Sequence, residues 1–146
     1  MVVDLSPSST WLLRKLASLG PAVLVPLVPS MDSVIRLEST ERLFRELSRG
    51  YAHSLHPYYV LNHFDPSQAL HQEVRSALRR RLAGRLLQIA ISNSPAVAEA
   101  LAEGMTVLDY TPAAGVAQDY RNLAGWLKGI SPPRSSEAAN TRWGQP

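Results

Sequence analysis

The sequence predicts an α/β domain built on a parallel sheet, and three observations carry that expectation. Short apolar runs alternate with segments whose apolar residues recur at helical spacing. The run Tyr58–Leu61 is aromatic, β-branched and aliphatic, as a strand buried on both faces should be. It stops at Asn62, and a helix-start signal, Asp65-Pro66, follows at once. In such βα units ligands bind beyond the carboxyl ends of the strands. Asn62 therefore stands either as a ligand reader or as a residue that merely satisfies a turn.

Taken in order, Met1–Leu5 reads as a first buried strand, with Asp4 near its carboxyl end and Ser6-Pro7-Ser8-Ser9 as the loop beyond. Ser9 caps a helix over Thr10–Leu19, with Trp11, Leu12, Leu16 and Leu19 on its apolar side and Gly20 as its stop. Pro21–Val28 is the second strand, shortened by Pro26, which cannot donate to a ladder. Met31–Ser48 is a helix with Val34, Ile35, Leu37, Phe44 and Leu47 inward. Arg36, Glu41, Arg42, Arg45 and Glu46 point outward.

After the central strand, Pro66–Leu82 forms a helix buried through Leu70, Val74, Ala77 and Leu82. Its arginines, Arg75, Arg79, Arg80 and Arg81, make it the most basic stretch. Arg85–Ile91 is a fourth strand, and Ser94-Pro95 opens a helix that runs to about Glu103. Met105–Tyr110 reads as an extended link. Thr111-Pro112 starts the last helix, with Val116, Tyr120, Leu123 and Leu127 on one face. Residues 1–130 thus form one domain with a parallel sheet of about four strands and right-handed crossovers. Ser131–Pro146 has the polar, proline-rich composition of a disordered tail.

Composition narrows the function classes. The 146 residues suffice for one core and contain no cysteine, which excludes disulfides and thiolate metal sites. No apolar run approaches a membrane span and no signal peptide is legible, which fits a cytoplasmic protein. The formal charge of +3 permits weak attraction to nucleic acid or anionic lipid without requiring either. His53, His56, His63 and His71 match no metal-ligand spacing, and neither G-x-S-x-G nor a paired carboxylate motif occurs.

An ordered set of motifs resembles the C-terminal half of the ParA/MinD-type P-loop ATPases. Within these it is most similar to the YhjQ/BcsQ type of bacterial cellulose-synthase operons. The set comprises Asn62 closing a strand, Arg79–Arg81, the strand Arg85–Ile91, the helix Ala96–Gly104, Val107–Pro112, and Asp119-Tyr120 with Trp126. Val2-Val3-Asp4-Leu5-Ser6-Pro7 resembles the family's Walker B and switch II segment, with Ser6 replacing the first proline. The resemblance implies a homodimerising ATPase that uses ATP and Mg²⁺ and positions the cellulose-synthase complex at the inner membrane or cell pole. It implies that Asp4 holds the Mg²⁺ shell through water and that Pro7 belongs to the switch. It also implies that Asn62 reads the adenine edge and that the backbone at Ile91 and Ser92 passes the other side of the base.

One departure governs the rest. No Gly-Lys-Ser or Gly-Lys-Thr occurs, so the phosphate-cradling loop of the family is not in this sequence. The expectation is a chain shortened by a broken gene, by a late start codon or by division into subunits, and inactive as an ATPase alone. The family's P-loop strand lies between the aspartate strand and the strand matching Pro21–Val28. The sheet should then lack a central strand, and marginal stability with a tendency to associate is expected. Two alternatives remain: a non-catalytic interaction module, and a partitioning-type DNA-binding protein using Arg75, Arg79, Arg80 and Arg81, whose simpler reading is a solvated helix face.

Overall fold

The computed structural model describes residues 2–5, 9–49 and 55–130. In chain order they form α1 (Thr10–Ala17), β1 (Leu24–Leu27), α2 (Met31–Ser48), β2 (Tyr58–Phe64) and α3 (Ala69–Leu82). A single 3₁₀ turn (Ala83–Arg85) leads to β3 (Leu86–Ser92), α4 (Pro95–Ala102), α5 (Val107–Tyr110) and α6 (Gly115–Ile130). The three strands make one parallel sheet in the order β1-β2-β3. The mixed α/β class and its parallel sheet are as the sequence predicts.

Strand alternation sorts the core into two layers. Tyr59 and Leu61 of β2 and Leu86 of β3 face α2 and α3, where they meet Val34, Leu37, Val74, Leu78 and Leu82. Val60 of β2 and Leu87 and Ile91 of β3 face the other way, against Ala100, Val107 and Val116 of α4, α5 and α6. Tyr58 closes that layer edge-on against Trp126, with ring centroids 4.9 Å apart. A third cluster, Ala17, Phe44, Leu47 and Leu55, seats α1 on α2.

Several expected elements are corrected. Met1–Leu5 does not supply a strand: residues 2–5 carry no regular structure and Val2 is 95% exposed. Among the described residues β1 therefore pairs only with β2. An apolar run gains strand structure from a ladder partner, and local composition does not provide one. Met105–Tyr110 holds a helical turn, not an extended link, because the Thr106 side chain accepts from the Asp109 N–H and nucleates α5. The helices after Asp65 and Thr111 begin later than the cap-then-proline signals suggest, at Ala69 and Gly115. Trp11, Leu19, Ile35 and Leu70 are exposed although helical spacing turns them inward. The stretch read as a tail, 131–146, and the switch residue Pro7 lie outside the described residues.

Candidate functional site

The carboxyl end of the sheet is where the sequence directs attention, and β2 behaves unusually there. The strand does not end at Asn62; it continues through His63 to Phe64. His63 has φ 56°, in the left-handed region that a non-glycine residue adopts rarely. Between the pairs Leu61↔Ala90 and Phe64↔Ser92, β2 advances three residues while β3 advances two. One residue is therefore extra, and Asn62-His63 is a bulge. The bulge turns Phe64 into the α2/α3 layer, where its ring lies 5.2 Å from the Arg75 guanidinium. It leaves Asn62 half-buried and His63 exposed at the rim.

The Asn62 side chain is partly committed. Its Oδ1 accepts the His63 N–H at 3.1 Å, as a turn-forming asparagine does. Its amide nitrogen has no partner among the described residues, so it can donate to an acceptor beyond the rim. Beyond the bulge, Asp65 organises a tight turn. Its carboxylate accepts from the Ser67 N–H, the Ser67 hydroxyl and the Gln68 amide, and these bonds hold its pKa below the usual carboxylate range. The Asp65 N–H in turn donates to His71 Nδ1 at 3.0 Å.

The neighbouring strand end is fully occupied. Ile91 is a core residue at 3% exposure, and both the N–H and the hydroxyl of Ser92 donate to Asp119 Oδ2, at 3.0 and 2.6 Å. The Asn93 N–H donates to the Phe64 carbonyl. The N–H groups of Ser92 and Asn93 are thus already committed within the fold. Asp4 is exposed on the irregular segment 2–5 and is not brought to the rim by any strand.

The arginine helix is largely sewn to the fold. Arg75 donates to the Gln88 carbonyl, Arg79 to the Gln88 side chain and Arg81 to the Val34 carbonyl. Gln88 lies on β3, which among the described residues pairs only with β2, so Arg75 covers an edge carbonyl and Arg79 holds the Gln88 side chain. Arg80 is exposed. Among the described residues no group of three or more His, Asp or Glu could hold a metal ion.

A second cluster, at the amino end of the sheet, was not foreseen. Arg85 grips Glu41 through two hydrogen bonds, 2.8 and 2.6 Å, and the Tyr59 hydroxyl donates to the same carboxylate. The Arg85 hydrogen bonds hold the Glu41 pKa below its usual range, and burial with the Glu41 contact pushes the Tyr59 hydroxyl up. The sequence reading turned Glu41 outward. The signal lay in its position: it continues the stripe Val34, Leu37, Phe44 at three- and four-residue steps, so a carboxylate stands on the buried face.

Compared with known families, residues 2–127 match the model of the cellulose biosynthesis protein BcsQ. This chain belongs to the BcsQ family. The match spans both the bulged strand and the Glu41–Arg85 pair, so both ends of the sheet lie within the BcsQ-like region. No curated protein matched the chain. As a BcsQ-family member it is a ParA-like protein associated with cellulose biosynthesis, and no helix among its described residues is long and apolar enough to cross a membrane.

Proposed function

We propose that this chain supports cellulose synthesis as an adenine-nucleotide-responsive positioning protein that does not hydrolyse ATP by itself. The observation that supports the nucleotide reading is the bulge at the carboxyl end of β2. It sets the Asn62 amide nitrogen, without a partner among the described residues, at the rim where parallel sheets bind ligands. A nucleotide there would rest its base against Asn62. Asp4 belongs to the same reading as the Mg²⁺-shell carboxylate, and the exposed segment that carries it must fold onto the rim to take that role.

The phosphate side is where the residues do not fit. The chain has two lysines, Lys15 on α1 and Lys128 on α6, and neither stands on a glycine-rich loop. Charge stabilisation on the transferred phosphoryl group is therefore not supplied by lysine, and that stabilisation is most of the catalysis in this reaction class. Homodimerisation and docking on cellulose-synthase components at the membrane or pole complete the proposal. They rest on family membership.

Titration of the purified chain with a fluorescent ATP analogue tests the reading, with and without Mg²⁺, alongside a phosphate-release assay. Saturable binding that Asn62→Ala abolishes, with no phosphate release, is expected. Steady turnover would overturn the non-hydrolytic part, and Asn62-independent binding would overturn the site. The DNA alternative predicts salt-sensitive retention on duplex DNA. With Arg75, Arg79 and Arg81 each bonded within the fold, that retention should be weak.

A further inference from the structure

The amino end of the sheet, remote from the proposed nucleotide rim, holds a recess of about 520 Å³. That volume lies within the range of small-molecule sites. Its floor is apolar: Phe44, Leu55 and Pro57 are buried beneath it. Its rim is cationic. Arg45 and Arg49 come from the end of α2, and Arg85 comes from the turn before β3. We propose that this recess is a binding site for a small organic phosphate whose flat apolar body rests on the floor and whose phosphate meets the three arginines.

Charge is the first argument. Three arginines and one carboxylate, Glu41, line the recess, which gives its lining an excess of two positive charges. A phosphate monoester carries close to two negative charges at neutral pH. Among the described residues Arg45 and Arg49 form no ion pair, whereas Arg36, Arg42 and Arg85 all do. Arg45 acts on Glu41 only at longer range. A cation near a helix carboxyl end is favoured by the helix dipole, which accounts for one such residue on α2. It does not account for the convergence with Arg85, remote in sequence, over an apolar floor.

Geometry is the second argument. Glu41 takes two of the five N–H donors of Arg85, so the guanidinium is fixed in place while donors remain. Planar forks held this way match phosphate oxygens, which a mobile lysine does not do. Ser48 is occupied at both ends, donating to the Phe44 carbonyl and accepting the Leu55 N–H. It ties the floor to the wall and leaves recognition to the arginines.

Calorimetric titration with phenyl phosphate and with inorganic phosphate tests the proposal, because neither probe carries an adenine. Phenyl phosphate should bind at least tenfold tighter than inorganic phosphate. Arg45→Ala/Arg49→Ala should weaken it tenfold or more without shifting the melting curve, and Arg45→Lys/Arg49→Lys should fall between. Equal, weak binding of both probes would mean an adventitious ion only and would overturn the proposal. Unchanged affinity in the alanine pair would overturn it as well. Asn62→Ala should leave phenyl phosphate binding intact, so failure at the nucleotide rim and failure here are read separately.

Discussion

The two ends of the sheet are built on different plans. At the amino end, two side chains, Tyr59 of β2 and Arg85 of the turn before β3, converge on the Glu41 carboxylate of α2 and join segments 18 and 44 residues apart. At the carboxyl end most bonds are local. Asn62 bonds its own neighbour, and Asp65 bonds residues two and three positions on. Two contacts reach across the chain there, Ser92 with Asp119 and the Asn93 N–H with the Phe64 carbonyl. Long-range bonds tie elements together, whereas local bonds shape a loop without fixing it to the rest. The amino end should therefore hold the fold more firmly, and the carboxyl end should rearrange more readily.

Breaking the amino end should have the largest effect. Glu41→Ala leaves Arg85 and the Tyr59 hydroxyl without their shared acceptor in a half-buried site. The cost should be about 2–3 kcal/mol, below that of a fully buried pair because both partners keep some solvent contact. For a chain of this length the melting temperature should fall by roughly 5–15 °C. A double-mutant cycle with Arg85→Ala separates the pair from the tyrosine bond, and a coupling near zero would contradict the account.

The same pair sets the acid limb of stability. Glu41 is more acidic folded than unfolded, so its contribution is complete above the ordinary glutamate range and is lost as pH falls through the depressed folded value. Tyr59 works in the opposite sense. Its folded pKa is raised, so its contribution is complete below about 10, the ordinary tyrosine value, and is lost in stronger alkali. Denaturant midpoints from pH 7 down to 3 should fall for the native chain and fall less steeply for Arg85→Ala. Parallel curves for the two would remove the linkage.

This contrast explains which parts were legible in the sequence. Strand and helix periodicity found β1, β2, β3, α2, α4 and α6, because those patterns are local and the core enforces them. Asn62 stood out for the same reason, since a polar residue after an apolar run is a local signal, although the strand runs on past it to Phe64. The bulge was not found, because nothing in the residues Asn62-His63-Phe64 announces an extra residue relative to a strand 28 positions away. Met1–Leu5 was misread because an apolar run looks like a strand whether or not a partner lies beside it. Glu41–Arg85 escaped because pairing across 44 residues is a property of the fold. The exposure of Ile35 and Leu70 has a related origin. Helical spacing says which residues share a face, but the width of the buried stripe depends on what packs against it.

At the carboxyl end effects should be smaller and should decrease from the long-range bond to the local one. Ser92→Ala removes one hydroxyl donor from Asp119 while the backbone N–H of residue 92 stays in place. A loss of about 1 kcal/mol is expected, seen as a shift in denaturant midpoint at constant slope. If Asp119 is a latch over the backbone at residue 92, the same substitution should raise affinity for the fluorescent ATP analogue, and unchanged affinity would leave Asp119 a purely structural partner.

Asn62→Ala should have the smallest effect on stability and the largest on binding, and that dissociation is the sharpest test of the contrast. The substitution removes one bond to the next residue's N–H at a half-exposed position, so the N–H can turn to water. The change in unfolding free energy should stay within about 0.5 kcal/mol. The left-handed conformation of His63 is held by the ladder on both sides of it, through Leu61↔Ala90 and Phe64↔Ser92, and should survive. If instead Asn62→Ala destabilises as much as Glu41→Ala, the bulge is a structural device that the asparagine maintains. The carboxyl end would then be as rigid as the amino end, and the argument that β2 bulges there to present a side chain to a ligand would fail.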